Sequence, residues 1–508
     1  MEQNSFTNIP ELTKFDTFSK KELIECYKVL EDELRRVVKE NYQLRNQKIS
    51  DDQLAFVIHE QLGELRQAMF GSSSEKYKKS EKPKEKVPPK PRVQKPSERY
   101  PNLPVVEEVI SMDKVPDCQC CGKPLCDSGM TEDSEQLTVI PKKYEIRLIK
   151  RKKYRCEKCH GDIQTTPAPA RIKEGSSYSD EMITDVALSK YCDLIPIERY
   201  AAMAKRGSWI EIPPHALIEL THYLAEYLQG MYHKIRDRAL LSLILYGDET
   251  PHRMLEGSDK KSWYLWGFST PTECFFECHS TRSGDVAHSI LEKSQCEILV
   301  SDVYAGYAKA ITAANKVRGQ NNKPLIMSAN CNAHARRYFF QSHLNYRVEA
   351  EYFLDRFVEI YKLNDESKGK SSQQILELRA KMEFYFKEMK AHALDLVAKF
   401  PLKNQLAKAL NYFLNNYVGL TLFLKHADVP IDNNQQERLL RSPVVGRKTW
   451  YGTHSERGAE TGAILFTIVE TCKLNNVNPR EYVAKLIQDL HQGKPGLTPI
   501  EYKLLSPI

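Results

Sequence analysis

The sequence predicts a multidomain α/β protein, and three patterns in its 508 residues predict it. Between Leu240 and Cys331, short apolar runs alternate with helical periods, in the order three strands, helix, strand, helix, strand. Long amphipathic helical patterns lie on either side of that stretch. Nearer the N-terminus, two Cys-x-x-Cys pairs follow a Lys- and Pro-rich segment, so a small separate unit precedes the main one. A chain this long exceeds what one hydrophobic core organises.

Bulk properties narrow the classes. Hydrophobic residues make up 41% and charged residues 28%, ordinary values for a globular chain. No apolar run is long enough to span a bilayer, and the first residues lack a basic-then-apolar secretion signal. The expectation is a cytoplasmic protein with no membrane partner. The 13 cysteines are odd in number and spread along the chain, which favours metal binding over a disulfide framework. The net charge of +7 is modest, but Lys and Arg cluster in a few segments, which favours a polyanionic partner.

The elements follow in order. Leu23, Tyr27, Leu30, Leu34, Val37, Asn41 and Leu44 alternate spacings of four and three, a heptad seam. It reads as a coiled-coil dimer contact, with Asn41 setting register, or as an amphipathic helix packed on its own chain. Lys76–Pro96 has too little apolar content for a core and reads as an extended linker. Cys118, Cys121, Cys156 and Cys159 form two knuckles whose four thiolates suit one tetrahedral structural Zn²⁺. The long interval between the knuckles predicts an inserted strand pair, and Cys120, Cys126 and His160 are spare ligands. Lys150, Arg151, Lys152 and Lys153 lie in a basic strand before the second knuckle, suited to DNA phosphates or simply solvated. Tyr178–Gly230 reads as three helices, capped at Ser179 or Asp180 and opened at Pro196 and at Pro213–Pro214. Helix-turn-helix DNA binding and plain helical packing explain them equally well. Ala333–Ala427 is an all-helical insertion, and helices from Glu460 to Lys473 and near the C-terminus complete the chain.

The strand–helix order resembles an RNase H-like core with a mixed sheet, in which the first and fourth strands are central neighbours. Asp248 and Asp302 would end those two strands. Two adjacent carboxylates repel unless a cation joins them, and Mg²⁺ takes hard oxygen ligands. Both aspartates would equally suit turns that close strands. Glu249 would point to the opposite face by alternation. A third acid is needed, and Glu437 in "IDNNQQERLLR" is the candidate. Asp432 is better explained as the N-cap of the following helix, with Asn433 and Asn434 as alternatives. Spacing alone leaves Glu437 undecided between metal binding and a surface ion pair with Arg441.

A resemblance adds to this. "LRQAMFGSSSEK", the paired knuckles, "GDETP", "SDVYAGY", "CNAHARRYF" and "DNNQQERLLRSPVVGRKTWYG" occur in one order along nearly the whole chain. Together they resemble the insertion sequence 66 family of transposases. The resemblance implies a DDE enzyme in which Asp248, Asp302 and Glu437 hold two Mg²⁺, or Mn²⁺ in their place. Its implied reaction is phosphodiester hydrolysis at element ends and strand transfer into target DNA. The implied partners are double-stranded DNA, both terminal inverted repeats and target, a second subunit or more, and accessory proteins from the same element. The implied location is the bacterial cytoplasm, at the nucleoid. An RNase H-like nuclease without strand transfer and a non-enzymatic zinc-containing DNA-binding regulator are the alternatives. Arg336, Arg337, Arg438, Arg441, Arg447 and Lys448 are expected near phosphates. Cys331 and His334, three apart after a strand, are expected in a structural or orienting role. Trp450 and Tyr451 would stack on a base or fill the core. "IPPHALIEL" departs from the Ser/Thr-rich helix start more usual in the family.

The expected organisation is a helical region (1–70), a basic linker (71–104), a zinc ribbon (105–172), a helical DNA-binding segment (173–235), the first part of the core (236–332), the helical insertion (333–427), the final catalytic helix (428–475) and a C-terminal helix and tail (476–508).

Overall fold

The computed structural model describes residues 20–44, 54, 58, 61–62, 95–111, 116–117, 119–120, 122–124, 131–140, 142–155, 163–256, 262–399 and 404–505. Most of the linker, the four zinc-knuckle cysteines and the "LRQAMFGSSSEK" segment lie outside the described residues. The chain divides into two compact units, one of residues 80–166 with 205–210 and one of the remainder.

In the smaller unit, β1 (Lys153–Arg155) pairs antiparallel with β2 (Ile163–Thr165). This corrects the expected placement of the strand pair: it flanks the second knuckle instead of filling the interval between knuckles. A hairpin needs its two arms within a few residues of one another, and the first knuckle is likewise flanked by an antiparallel bridge, Asp117–Pro124. Lys150, Arg151, Lys152 and Lys153 are exposed.

The larger unit begins with α1 (Lys20–Leu44). Val38 is buried against Leu54, Ile58 and Leu62, with Leu34 beside it, whereas Leu30, Val37 and Asn41 of the seam are exposed. Among the described seam residues, Leu34 therefore packs within the chain, and Leu30, Val37 and Asn41 face out.

Three helices follow, α2 (Asp180–Tyr191), α3 (Ile197–Ser208) and α4 (Pro214–Leu240). The Ser179 hydroxyl accepts from the Met182 amide and caps α2 as expected, and Pro214 opens α4. The α4 helix runs ten residues past the predicted end at Gly230. Ile235 and Ala239 keep the buried helical period going, so Leu240 belongs to this helix and not to the first core strand.

The core is a five-stranded sheet in the order β5 (Cys274–His279), β4 (Ser262–Ser269), β3 (Ile244–Arg253), β6 (Ile298–Ser301), β7 (Met327–Asn330). β3, β4 and β5 form an antiparallel meander, and β6 and β7 run parallel to β3. The first and fourth core strands are thus neighbours, as the element order predicts. Helices α5 (Gly284–Lys293) and α6 (Ala305–Gln320) are the crossovers between parallel strands and cover one face of the sheet, where Leu245, Trp266, Phe268, Phe275 and Leu299 are buried.

The other face is covered in two parts. Tyr246, Ile298, Val300 and Ala329 meet the helical insertion, α7 (Asn332–Ser342), α8 (Arg347–Glu366), α9 (Ser372–Val397), α10 (Gln405–Asn415) and α11 (Tyr417–Thr421), with a phenylalanine cluster at its centre. Leu265, Cys274 and Phe276 meet α14 (Glu456–Leu474), which α2, α4 and α15 (Pro479–His491) enclose. Thr467 and Thr471 of α14 accept hydrogen bonds from the Phe276 and Cys274 amides, so the outer edge of β5 is covered. Between these parts lie α12 (Asn434–Leu439) and α13 (Arg441–Trp450), and α16 (Pro499–Leu505) occupies what the sequence reads as a tail.

Candidate active site

The site is built at one end of the parallel strands. Tyr246 pairs with Val300 in the β3–β6 ladder, and that ladder stops there. Two residues further on each chain stand Asp248 and Asp302, and a period of two puts both on the face of Tyr246 and Val300. Asp248 does not end its strand, which corrects the sequence expectation. β3 continues to Arg253 because its antiparallel pairing with β4 persists through Arg253 and Ser262. What ends near Asp248 is the parallel ladder, and the carboxylate stands at that boundary.

Asp302 accepts a hydrogen bond from the Tyr304 amide at 3.1 Å, fixing the turn into α6. Asp248 accepts from the Glu249 amide at 2.9 Å. Its carboxyl is pushed up to about 8, first by burial and then by the charges of Glu249, Asp302 and Glu437. Glu249 points to the opposite face, as alternation requires. There Arg282 Nε and the Tyr307 hydroxyl each donate to its carboxylate at 2.8 Å. Glu249 is therefore satisfied by protein groups, and Asp248 is left to the acid cluster.

Glu437 arrives from α12. Asn433, not Asp432, is the N-cap position, and it makes no side-chain cap. Its side-chain Nδ2 instead donates to the Gly247 carbonyl at 2.9 Å, tying the helix start to β3. Asp432 accepts from the Asn434 amide at 3.1 Å and from the Tyr361 hydroxyl at 3.1 Å, so it closes a turn ahead of the helix. One turn on, Gln436 is fully buried and lies over Gly267, where an added Cβ would stand 2.3 Å from its Nε2. Gly267 pairs directly with Asp248. The missing side chain at Gly267 is what lets α12 approach the sheet beside Asp248 and carry Glu437 there.

Among the described residues no ion pair joins Glu437 to Arg441. Leu440 ends α12 and starts α13, so the two residues are not on one continuous helix. The side chain beside it is His334, whose Nδ1 is 3.8 Å from Glu437 Oε1. Neither atom has a hydrogen-bond partner among the described residues.

The strand beyond Asp302 supplies Cys331 and His334. The Cys331 amide donates to the Ser301 carbonyl, and Cys331 begins α7. Ligand atoms of Cys331, His334 and Glu437 lie within 4.8 Å of one another, a grouping that could hold a metal ion. The Cys331 sulfur is fully buried, accepts from the Asn433 amide at 3.3 Å, and its thiol is pushed up to about 12 by burial. Through that hydrogen bond and its own amide's bond to Ser301, Cys331 also joins the start of α12 to the end of β7.

The basic residues divide. Arg438, Arg441 and Lys448 are exposed, whereas Arg336, Arg337 and Arg447 are half-buried. Arg447 donates to the Thr250 hydroxyl at 3.3 Å. Trp450 and Tyr451 separate as well: Trp450 packs edge-on to Tyr191 and under Lys190, while Tyr451 is 71% exposed. Sequence reasoning missed Asn433, Gln436 and Gly267 as the residues that seat the helix. Their signal is two uncharged amides spaced i, i+3, one helical face, facing a strand glycine.

The family model for "Transposase IS66 family" matches residues 175–461, which include all three acids and the helical insertion. Uncharacterized proteins of Sinorhizobium fredii are similar along most of the chain. One, y4qI, is 27% identical over 88% of this chain and 82% of its own length. A second, y4hP, is 25% identical over 75% and 72%, and a third, y4jD, is 26% identical over 76% and 76%. With more than half of its length matched, including the strands and the helix that converge on this site, the chain belongs to the IS66 family of transposases.

Proposed function

We propose that this transposase is of the DDE type, with Asp248, Asp302 and Glu437 as its metal-binding triad on an RNase H-like core. The observation that carries the reading is the convergence of acids from three separate elements. The Asp248 carboxyl is raised first by burial and then by the charges of Glu249, Asp302 and, least, Glu437. The donor set fits Mg²⁺ or Mn²⁺: the oxygens are hard, and the buried Glu437 Oε1 makes no hydrogen bond among the described residues. When bound, two such ions would supply Lewis acidity at the scissile phosphate and at the attacking oxygen.

The chain's own residues do the positioning. Asn433 and Gln436 hold α12 against the sheet, and His334 lies beside Glu437 and orients its carboxylate. Cys331 ties β7 to the same helix. Arg438, Arg441, Arg447 and Lys448 on α12 and α13, with Arg336 and Arg337 on α7, provide cations for DNA phosphates on both sides of the acids. A water would attack at the element end, and the freed 3′ hydroxyl would then attack target DNA. The zinc ribbon of Cys118, Cys121, Cys156 and Cys159 and the α2–α4 helices would hold the terminal repeats.

The test is strand cleavage and joining on a labelled element-end duplex with Mg²⁺. Asp248→Asn, Asp302→Asn and Glu437→Gln should each lower the cleavage rate roughly 100-fold or more, because a metal on a phosphoryl oxygen contributes several kcal/mol. Variants that cleave like wild type would sink the triad. Cleavage without a joined product would point to a nuclease lacking strand transfer.

A further inference from the structure

Past Asp248, one edge of β3 is left uncovered. The β6 partner ends at Ser301, and the next described partner on that chain edge is Thr453, bridged to Met254. Thr453 donates its amide to the Arg253 carbonyl and accepts from the Leu255 amide, closing the far end. At this end of β3 opens a cleft of about 530 Å³, lined by residues 251–253 of β3, by Ser262 and Tyr264 of β4, and by Arg447 and Tyr451. Cavities of roughly 300–1,000 Å³ are the usual size for small-molecule and nucleotide ligands.

Its chemistry is specific. Arg447 and Arg253 bring two guanidinium groups, suited to a phosphate. Tyr264 and Tyr451 bring two aromatic rings, suited to the face of a base. Tyr451 is held at φ +65°, a left-handed backbone that a tyrosine adopts only when the surroundings impose it. Gly452 follows at φ +139°, where any Cβ would stand 2.1 Å from the Arg253 carbonyl. This turn sets a ring on the rim, 71% exposed, that contributes nothing to the core. Its neighbour Trp450 already fills the packing role.

We infer that this cleft binds one unpaired nucleotide of the DNA strand being processed, its base against Tyr451 and Tyr264 and its phosphate at Arg447. Pro251 is three residues beyond Asp248, about 10 Å along the strand or roughly the rise of three nucleotides, on the face of Glu249, and Arg447, bonded to Thr250 on the Asp248 face, reaches both sides. The bound nucleotide is thus within about three positions of the phosphate at the acid cluster. The inference takes the identity of the DNA from the transposase reading, but its ligand chemistry comes from the cleft itself.

The experiment places 2-aminopurine, in turn, at the three positions on each side of the cut in a duplex carrying the element's own terminal sequence. Full-length wild type should raise the fluorescence at one position, by unstacking it. Tyr451→Ala should abolish that rise and Tyr451→Phe should keep it, since stacking needs the ring and not the hydroxyl. Arg447→Ala should weaken it. Tyr451→Ala should also cleave roughly tenfold more slowly, and should recover on a duplex whose opposing base is removed. Equal fluorescence and equal cleavage for Tyr451→Ala and wild type overturn the cleft assignment and leave the transposase reading standing. A wild type that never cleaves undermines that reading, while the fluorescence still decides the cleft.

Discussion

At the scale of single residues, burial sorts ionisable groups that look alike in the sequence. Asp248 and Glu249 are adjacent, yet only Glu249 has an arginine and a tyrosine of its own. The acid paired with a cation braces the fold, and Asp248, held only by the Glu249 amide, faces the other acids. His252 illustrates the same sorting with a measurable consequence. Its Nε2 is 2.9 Å from the Thr453 hydroxyl. Burial first, and the Arg447 charge second, lower its pKa from the usual 6.5 to about 4. The unfolded chain therefore binds this proton at a pH where the folded chain does not. Stability from this group is complete above about 6.5 and is lost as pH falls toward 4. The gap corresponds to roughly 3 kcal/mol at most. Urea unfolding of wild type and His252→Gln at pH 7 and pH 4.5 should show a smaller loss on acidification in the variant. An equal loss in both would mean that His252 is not buried neutral.

At the scale of elements, the placement of α12 combines one polar tie and a close fit with the burial of Leu439. Asn433 donates to a strand carbonyl, and Gln436 occupies the space that Gly267 leaves. Replacing Asn433 by Ala leaves the buried Gly247 carbonyl short of a partner, a loss of roughly 1–3 kcal/mol. Thermal unfolding and cleavage measured on Asn433→Ala should both fall, with cleavage falling further than the stability change explains, because Glu437 rides on this helix. Cleavage that tracks stability alone would assign Asn433 to folding only. The turn after α13 makes a stricter demand. Gly452→Ala must both hold φ +139° and move the Arg253 carbonyl, so it should destabilise by roughly 3 kcal/mol or more. A melting temperature unchanged in Gly452→Ala would refute the close approach.

At the scale of the molecule, the helical insertion and α14 divide one face of the sheet, and the site opens in the seam between them. That arrangement requires a chain that leaves the sheet after β7, builds a separate aromatic core and returns at Ile431, whose carbonyl accepts from Asn332 where the insertion began. The N-terminal helix bears on assembly. Leu30 and Val37 are exposed on α1 while Leu34 and Val38 pack within the chain. An exposed heptad seam is a ready surface for a second copy. Sedimentation of the full chain should show self-association that weakens in Leu30→Asp/Val37→Asp, and an identical profile would reject the seam as a subunit contact. No helix of the described residues is long and apolar enough to cross a membrane.

The sequence alone determined the order of strands and helices in the core, because periods of two and of 3.6 are written locally in apolar residues. It also determined which acids were candidates, because strand ends and helix starts carry turn and cap residues. Element ends were less legible. Leu240 looked like the start of a strand and proved to end a helix, since a buried helix and a buried strand share apolar composition. Only the tertiary structure removed one reading left open at Glu437, the ion pair with Arg441. Its i, i+4 spacing to Arg441 allowed an ion pair until the break at Leu440 removed the shared helix face. Only the tertiary structure separated Trp450 from Tyr451 and opened the cleft beside β3, for both depend on what packs across the chain rather than along it. Local periodicity names the elements, and contacts between distant residues choose which side chains are left free to act.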